Sequence, residues 1–175
     1  MGKNSDFPRR KNDAYWSWDI RTVLPLLPHL AGWRSFVEPC AGAGHLVDHL
    51  QAAGLHCVQA YDIAPQRADI EIGDAMAATL PPGADGFITN PVWTRQLMHP
   101  MLVHLAELAP TWFLLDAGWA FGKQARPYLE RYCHLIVAGN RVKWIEESEH
   151  DATDDLAWYL FARGAPGRPT FVPRG

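Results

Sequence analysis

Residues 36–44, Phe-Val-Glu-Pro-Cys-Ala-Gly-Ala-Gly (FVEPCAGAG), decide the fold. Ser35–Glu38 reads as a strand that runs into a turn of small residues, where Gly42 and Gly44 let the backbone approach something that side chains would block. A helix is predicted over residues 45–53, ending at Gly54, and a strand over 57–62, ending in the carboxylate of Asp62. Farther on, a strand over 86–89 runs into Asn90-Pro91-Val92-Trp93 (NPVW). Strand, glycine turn, helix and strand in this order give the period of a parallel α/β sheet.

The pattern continues in both directions from that stretch. Residues 68–72 form a short strand candidate; Arg95–Leu108 reads as a helix, Thr111–Asp116 as a strand, 124–131 as a helix, and 134–138 and 156–162 as strands. Upstream, Ile20, Val23, Leu24, Leu27 and Leu30 recur at helical spacing behind a candidate cap at Asp19, while Pro25 and Pro28 argue for a short or broken helix. Residues 1–13 are polar and basic and are expected to form a flexible arm. The last twelve, about 164–175, are rich in Pro, Gly and Arg and are expected to form a tail ordered only by a partner.

With 175 residues and 48% hydrophobic content, the chain is expected to form one domain with a single core. A net charge of −3 excludes a protein that coats nucleic acid through bulk charge. Any such contact is local, with basic candidates at Lys3, Arg9, Arg10 and Lys11, at Arg141 and Lys143, and at Arg163, Arg168 and Arg174. The acidic run 146–155 reads as a solvated loop. Three cysteines, Cys40, Cys57 and Cys133, are odd in number and far apart, so neither a disulfide framework nor a zinc cluster is suggested and a reducing cytoplasm is expected. The sequence shows neither an export signal nor a membrane-spanning stretch. His45 and His49 share a helix face without a third ligand, so no metal is expected.

The glycine pattern lacks the third glycine of G-x-G-x-x-G, since Val47 stands there, and no P-loop lysine follows; nicotinamide and nucleotide-triphosphate chemistry is disfavoured. The run EPCAGAG resembles the glycine motif of class I S-adenosylmethionine-dependent methyltransferases. Likewise Tyr61-Asp62-Ile63 resembles their acidic strand end, Gly73-Asp74-Ala75 their adenine-reading segment, and NPVW the [D/N/S]-P-P-[Y/F/W] motif of amino-methyltransferases, above all small phage-type N6-adenine DNA methyltransferases. The resemblance covers roughly residues 13–163. It implies a Rossmann-like class I methyltransferase fold, a mostly parallel central sheet flanked by helices with the last strand antiparallel. It also implies S-adenosyl-L-methionine as cofactor: Gly42 and Gly44 lining its methionine part, Asp62 on its ribose, Asp74 and the Ala75 backbone on its adenine, Glu38, Pro39, Ala41 and Ile63 among the other residues that bind it, and Tyr15 and Trp18 closing over it.

The same resemblance makes Asn90, Pro91 and Trp93 the catalytic set, with Asn90 also beside the cofactor. An exocyclic amine conjugated to a ring is a poor nucleophile. The Asn90 side-chain oxygen and the Pro91 carbonyl can draw its hydrogens out of the ring plane, while Trp93 stacks an extruded base. Val92 replaces the family's second proline. DNA is the expected partner, with relaxed sequence preference because no separate region remains to read bases in the major groove. RNA or protein acceptors, and a non-catalytic binding module of the same fold, stay open. Cys40 precedes the glycine turn and reads as a packed small residue instead of a nucleophile. Among the eight tryptophans, Trp16, Trp18, Trp93 and Trp119 are expected near the cleft, and Trp112, Trp144 and Trp158 in the core.

Overall fold

A computed structural model describes residues 17–138, 142, 155–164 and 170–172. Among the described residues eight strands make one sheet: β1 (Ser35–Glu38), β2 (His56–Asp62), β3 (Glu71–Ile72), β4 (Phe87–Thr89), β5 (Thr111–Asp116), β6 (Tyr132–Val137), β7 (Leu156–Phe161) and β8 (Thr170–Val172). Their spatial order is β3-β2-β1-β4-β5-β7-β6-β8. Pairs β1/β2, β2/β3, β1/β4, β4/β5 and β6/β8 are parallel, and β7 runs antiparallel to both β5 and β6. Strand order reverses between β1 and β4, which opens a crevice at their carboxyl ends, the place where open α/β sheets hold ligands. The glycine turn leaves β1 there and Asn90-Pro91 leaves β4.

Alternation along the strands explains why both faces are covered. On β5, Phe113 and Leu115 enter one apolar layer while Trp112 and Leu114 enter the other. On β7, Tyr159 and Phe161 join the first layer, and Leu156 and Trp158 the second. Helix α2 (Arg95–Leu108) covers the first layer with Met98, Leu102 and Leu105. Helix α1 (His45–Ala52) covers the second with Leu46, Val47 and Leu50, joined by Val23, Leu26 and Leu30. Each such side chain taken fully out of water stabilises by about 1.5–3 kcal/mol before entropy is counted. Helix α1 ends on Gly54 at φ 96°, with Gly54 N–H on the Gln51 carbonyl and Leu55 N–H on that of Leu50, the paired bonds of a Schellman stop.

Several expectations are corrected. Residues 19–30 hold two short 3₁₀ turns, Ile20–Thr22 and Leu27–His29, and no α-helix. Pro25 and Pro28 remove two donors an α-helix would use. Asp19 does cap the first turn, accepting Arg21 N–H at 3.0 Å. The helix expected over 124–131 is a 3₁₀ run, Lys123–Arg131, interrupted by Pro127. Within the expected tail, Thr170–Val172 pairs in register with His134–Ile136 and extends the sheet. The arm at 1–13, Tyr15, Trp16, Arg141, Lys143, Trp144, Arg168, Arg174 and the acidic run short of Asp155 lie outside the described residues. Among the described residues no helix is long and apolar enough to cross a membrane.

Candidate active site

Asp62, at the end of β2, ties two loops together. Its Oδ2 accepts Gly42 N–H at 2.9 Å and its Oδ1 accepts Ala64 N–H at 2.8 Å. Gln66 N–H returns to the Gly42 carbonyl at 2.9 Å, so the loop after β2 is stitched to the glycine turn. A carboxylate offers about four lone-pair directions; two of Asp62's are used here, and a diol could take the others. Ile63 beside it is 75% exposed, a flat apolar surface at the same sheet edge. Gly73 N–H donates to the Asp62 carbonyl at 3.0 Å, and a Cβ on Gly73 would strike the Tyr61 ring. Asp74 then accepts Met76 N–H at 2.8 Å, capping a 3₁₀ turn that opens with buried Ala75. Asp62, Ile63, Asp74 and Ala75 thus share one edge of the crevice.

Gly42 and Gly44 both have positive φ, 53° and 79°. The room at Gly44 belongs to a residue the sequence reading missed, because the Arg67 guanidinium lies where a Cβ on Gly44 would go. Arg67 is itself held by Asp48 and Asp69, each at 2.6 Å. Pro39 and Ala41 are buried, and Ala41 N–H bonds the Tyr61 carbonyl at 3.0 Å, so they shape the turn from beneath.

Glu38 is fully buried where β1 ends. Its Oε1 accepts Cys40 N–H at 2.9 Å and the Thr89 hydroxyl at 2.6 Å, linking the glycine turn to the last residue of β4. Oε2 is buried and has no hydrogen-bond partner. Burial pushes this carboxyl up to about 8, against the opposing effect of its hydrogen bonds, so it holds a proton at neutral pH. Burial likewise pushes the Cys40 thiol well above its ordinary value, and its sulfur lies 3.6 Å from that of Met101. A thiolate nucleophile is not available there.

The second loop of the crevice begins one residue beyond β4. Asn90 Nδ2 donates to Ser17 Oγ at 3.1 Å, which sets the amide oxygen on the opposite branch. Neighbouring Trp18 sits on α1, its carbonyl meeting His49 Nε2 at 2.9 Å, and its indole N–H is buried without a partner. Residues 17–18 therefore link α1 to Asn90. Pro91 is buried. Trp93 is half-buried, donates from Nε1 to the Leu114 carbonyl at 3.1 Å, and touches both apolar layers. Trp119, expected at the cleft, lies in the core at 6% exposure and donates to His99 Nε2 at 3.2 Å. Trp112 and Trp158 are core residues as expected. Ser17 and Arg67 carried no local motif; their roles come from contacts distant in sequence. Among the described residues no group of three or more His, Cys, Asp or Glu side chains could hold a metal ion.

No protein-family model matches the chain, and no curated protein matches its sequence. Solved structures do. The type IIG restriction endonuclease BpuSI superposes with a TM-score of 0.62 at 14% identity, over 94% of this chain and 28% of its own. For lmo1582 of Listeria monocytogenes, provisionally classed as a class I S-adenosylmethionine-dependent methyltransferase, the TM-score is 0.57 at 10% identity, over 94% of this chain and 67% of that one. For PH1948 of Pyrococcus horikoshii, provisionally classed as an RNA methyltransferase, it is 0.54 at 15% identity, over 79% and 81%. The chain has the class I methyltransferase fold, with a mostly parallel sheet and an antiparallel β7.

Proposed function

We propose that the protein is an S-adenosyl-L-methionine-dependent methyltransferase acting on an exocyclic amino group, adenine N6 in DNA. Carrying this is one observation: Asn90-Pro91 leaves β4 at the strand-order reversal, joined through Thr89 and Glu38 to the glycine turn. Donor and acceptor loops thus share one buried carboxyl. The residues present fit the cofactor on three counts. Asp62 has acceptor capacity left for two ribose hydroxyls, Ile63 offers apolar surface beside it, and the Trp18 indole N–H is buried and unpaired.

When bound, S-adenosyl-L-methionine would supply an electrophilic methyl group on its sulfonium, with a thioether as the leaving group. Asn90 Oδ1 and the Pro91 carbonyl accept the two amine hydrogens and draw them out of the ring plane, which takes the nitrogen lone pair out of conjugation with the ring. One of those protons departs to solvent once the new N–C bond has formed. Trp93, fixed by its bond to Leu114, stacks on the extruded base. Ser17 holds the Asn90 amide through its Nδ2, which fixes the branch on which Oδ1 lies. Glu38, neutral at pH 7, braces both loops without placing a negative charge beneath the cofactor. Free Cys40 and Cys57 suit a reducing, cytoplasmic setting, and we take the whole chain as a single methyltransferase domain.

The test is transfer of labelled methyl from S-adenosylmethionine to duplex DNA, single-stranded DNA, RNA and protein, followed by nucleoside mass spectrometry. N6-methyladenine in DNA is expected. Label confined to RNA or protein would move the substrate, and cofactor binding without transfer to any of the four would replace the enzyme with a binding module.

A further inference from the structure

After β5 the chain leaves the sheet at the edge that carries Asn90, because β4 and β5 run parallel with Thr89 opposite Phe113. The turn that follows is rigidly held. Trp119 is buried edge-on against Tyr159 and Phe161, at 5.5 and 5.6 Å between ring centroids. The Tyr159 hydroxyl lies 3.2 and 2.8 Å from the Asp116 and Ala117 carbonyls. Two residues on, Phe121 points outward and is 83% exposed. Its position is set by Phe121 N–H on the Gly118 carbonyl and Gly122 N–H on that of Trp119, both at 3.1 Å.

Lys123 and Arg126 follow, both exposed, and neither has an ion-pair partner among the described residues. They lie in a 3₁₀ run, where residues three apart fall on one row. Glu130 falls on a different row. Arg95, exposed at the start of α2, borders the same place. Its charge, after burial, holds His99 below the usual imidazole range, and the His99 ring lies tilted against Tyr128 of that run, 4.5 Å between centroids. An exposed aromatic beside unpaired cations is the pairing that binds an unstacked base and its phosphates. With a net charge of −3, the chain needs such a local patch to hold a polyanion.

We propose that Phe121, Lys123 and Arg126 form a docking surface for a nucleic-acid strand beside the acceptor site, Phe121 stacking on an unpaired base and the two cations taking flanking phosphates, with Arg95 at the rim. This rests on the methyltransferase reading, which supplies the reason for a strand to lie at this edge.

The test uses the full chain and short fluorescein-labelled single strands of DNA and of RNA, followed by anisotropy across a salt series. Phe121→Ala is expected to weaken binding about 5- to 100-fold, and Phe121→Trp to restore it. The Lys123→Ala, Arg126→Ala pair is expected to lower the slope of log affinity against log salt by about 1.4. Melting temperature and cofactor affinity should stay at the wild-type level, since all three side chains are exposed. Unchanged oligonucleotide affinity and slope in these variants would overturn the surface, as would Phe121→Trp binding no better than Phe121→Ala. Competition by polyglutamate as effective as by oligonucleotide would also overturn it. Methyl transfer to nucleic acid with an unaltered KM in the variants sinks the surface alone. Oligonucleotide binding through these residues with no methyl transfer to any acceptor sinks the methyltransferase reading alone.

Discussion

The two sides of the crevice are built differently. On the donor side, β1, β2 and the loops after them are joined by short bonds from backbone N–H groups to buried or half-buried carboxylates, Asp62 to Gly42 and Ala64, Glu38 to Cys40. On the acceptor side such bonds recur, as in Gly118 N–H on Asp116, but side-chain contacts are added to them: Asn90 to Ser17, the Trp93 indole to Leu114, and the aromatic layer around Trp119. A backbone-stitched loop keeps its shape whatever ligand arrives. A loop held by side chains is set by a few contacts, each removable by one substitution. Damage on the donor side should therefore appear as lost cofactor affinity, and damage on the acceptor side as lost transfer with affinity intact.

The largest effect is expected from Asn90→Ala. Removing an acceptor that acts only in the transition state should lower single-turnover methyl transfer by about 100- to 1,000-fold, measured with labelled cofactor at saturation. Next comes Asp62→Ala. It removes charge-assisted bonds worth about 1.5–3 kcal/mol each, so a calorimetric titration should show S-adenosylmethionine binding at least tenfold weaker, with a lower melting temperature as the glycine turn loosens.

Gly44→Ala should cost about 1–3 kcal/mol in denaturant unfolding, because the residue is left-handed and its Cβ meets Arg67. Repeating it in an Arg67→Ala background sharpens the comparison: the clash disappears, the backbone strain remains, and the two effects should not add.

Glu38 gives a pH signature. Its ordinary value of 4.5 is raised to about 8 by burial, so between those limits the folded chain holds a proton that the unfolded chain releases. Unfolding free energy should then fall as pH rises through this window, by up to about 1.4 kcal/mol per unit, and level off above it. Glu38→Gln should remove that fall. The smallest effect is expected from Ser17→Ala: loss of one hydrogen bond of about 0.5–1.5 kcal/mol, read as a transfer rate a few-fold lower with cofactor affinity unchanged.

What could be read in the sequence follows the same division. Ser35–Glu38, Arg95–Leu108 and Thr111–Asp116 have the expected bounds, because their apolar periods are clean and Pro, Gly or a charge sits at their ends. Donor-side residues announce themselves through local spacing, since a glycine turn and a strand-end carboxylate are short-range features. Ser17, Arg67 and Thr89 do not, because each acts on a residue far along the chain. Residues 19–30 misled because helical spacing of apolar residues survives in 3₁₀ turns that proline enforces. Trp119 misled because a tryptophan near the cleft in sequence still packs inward when a histidine accepts its N–H. The strand β8 was hidden in a Pro- and Gly-rich stretch whose only apolar residues, Phe171 and Val172 beside Ala165, are too few to set a period.

The most direct measurement places Asn90→Ala and Asp62→Ala side by side, with cofactor affinity and saturated single-turnover transfer to DNA measured on the same preparations. The expected result is a crossed pattern: Asn90→Ala keeps most of its affinity for S-adenosylmethionine and fails to transfer, while Asp62→Ala binds weakly and transfers at close to the wild-type rate once saturated. Wild-type cofactor affinity in Asp62→Ala, or undiminished transfer in Asn90→Ala, would contradict the division into donor and acceptor halves.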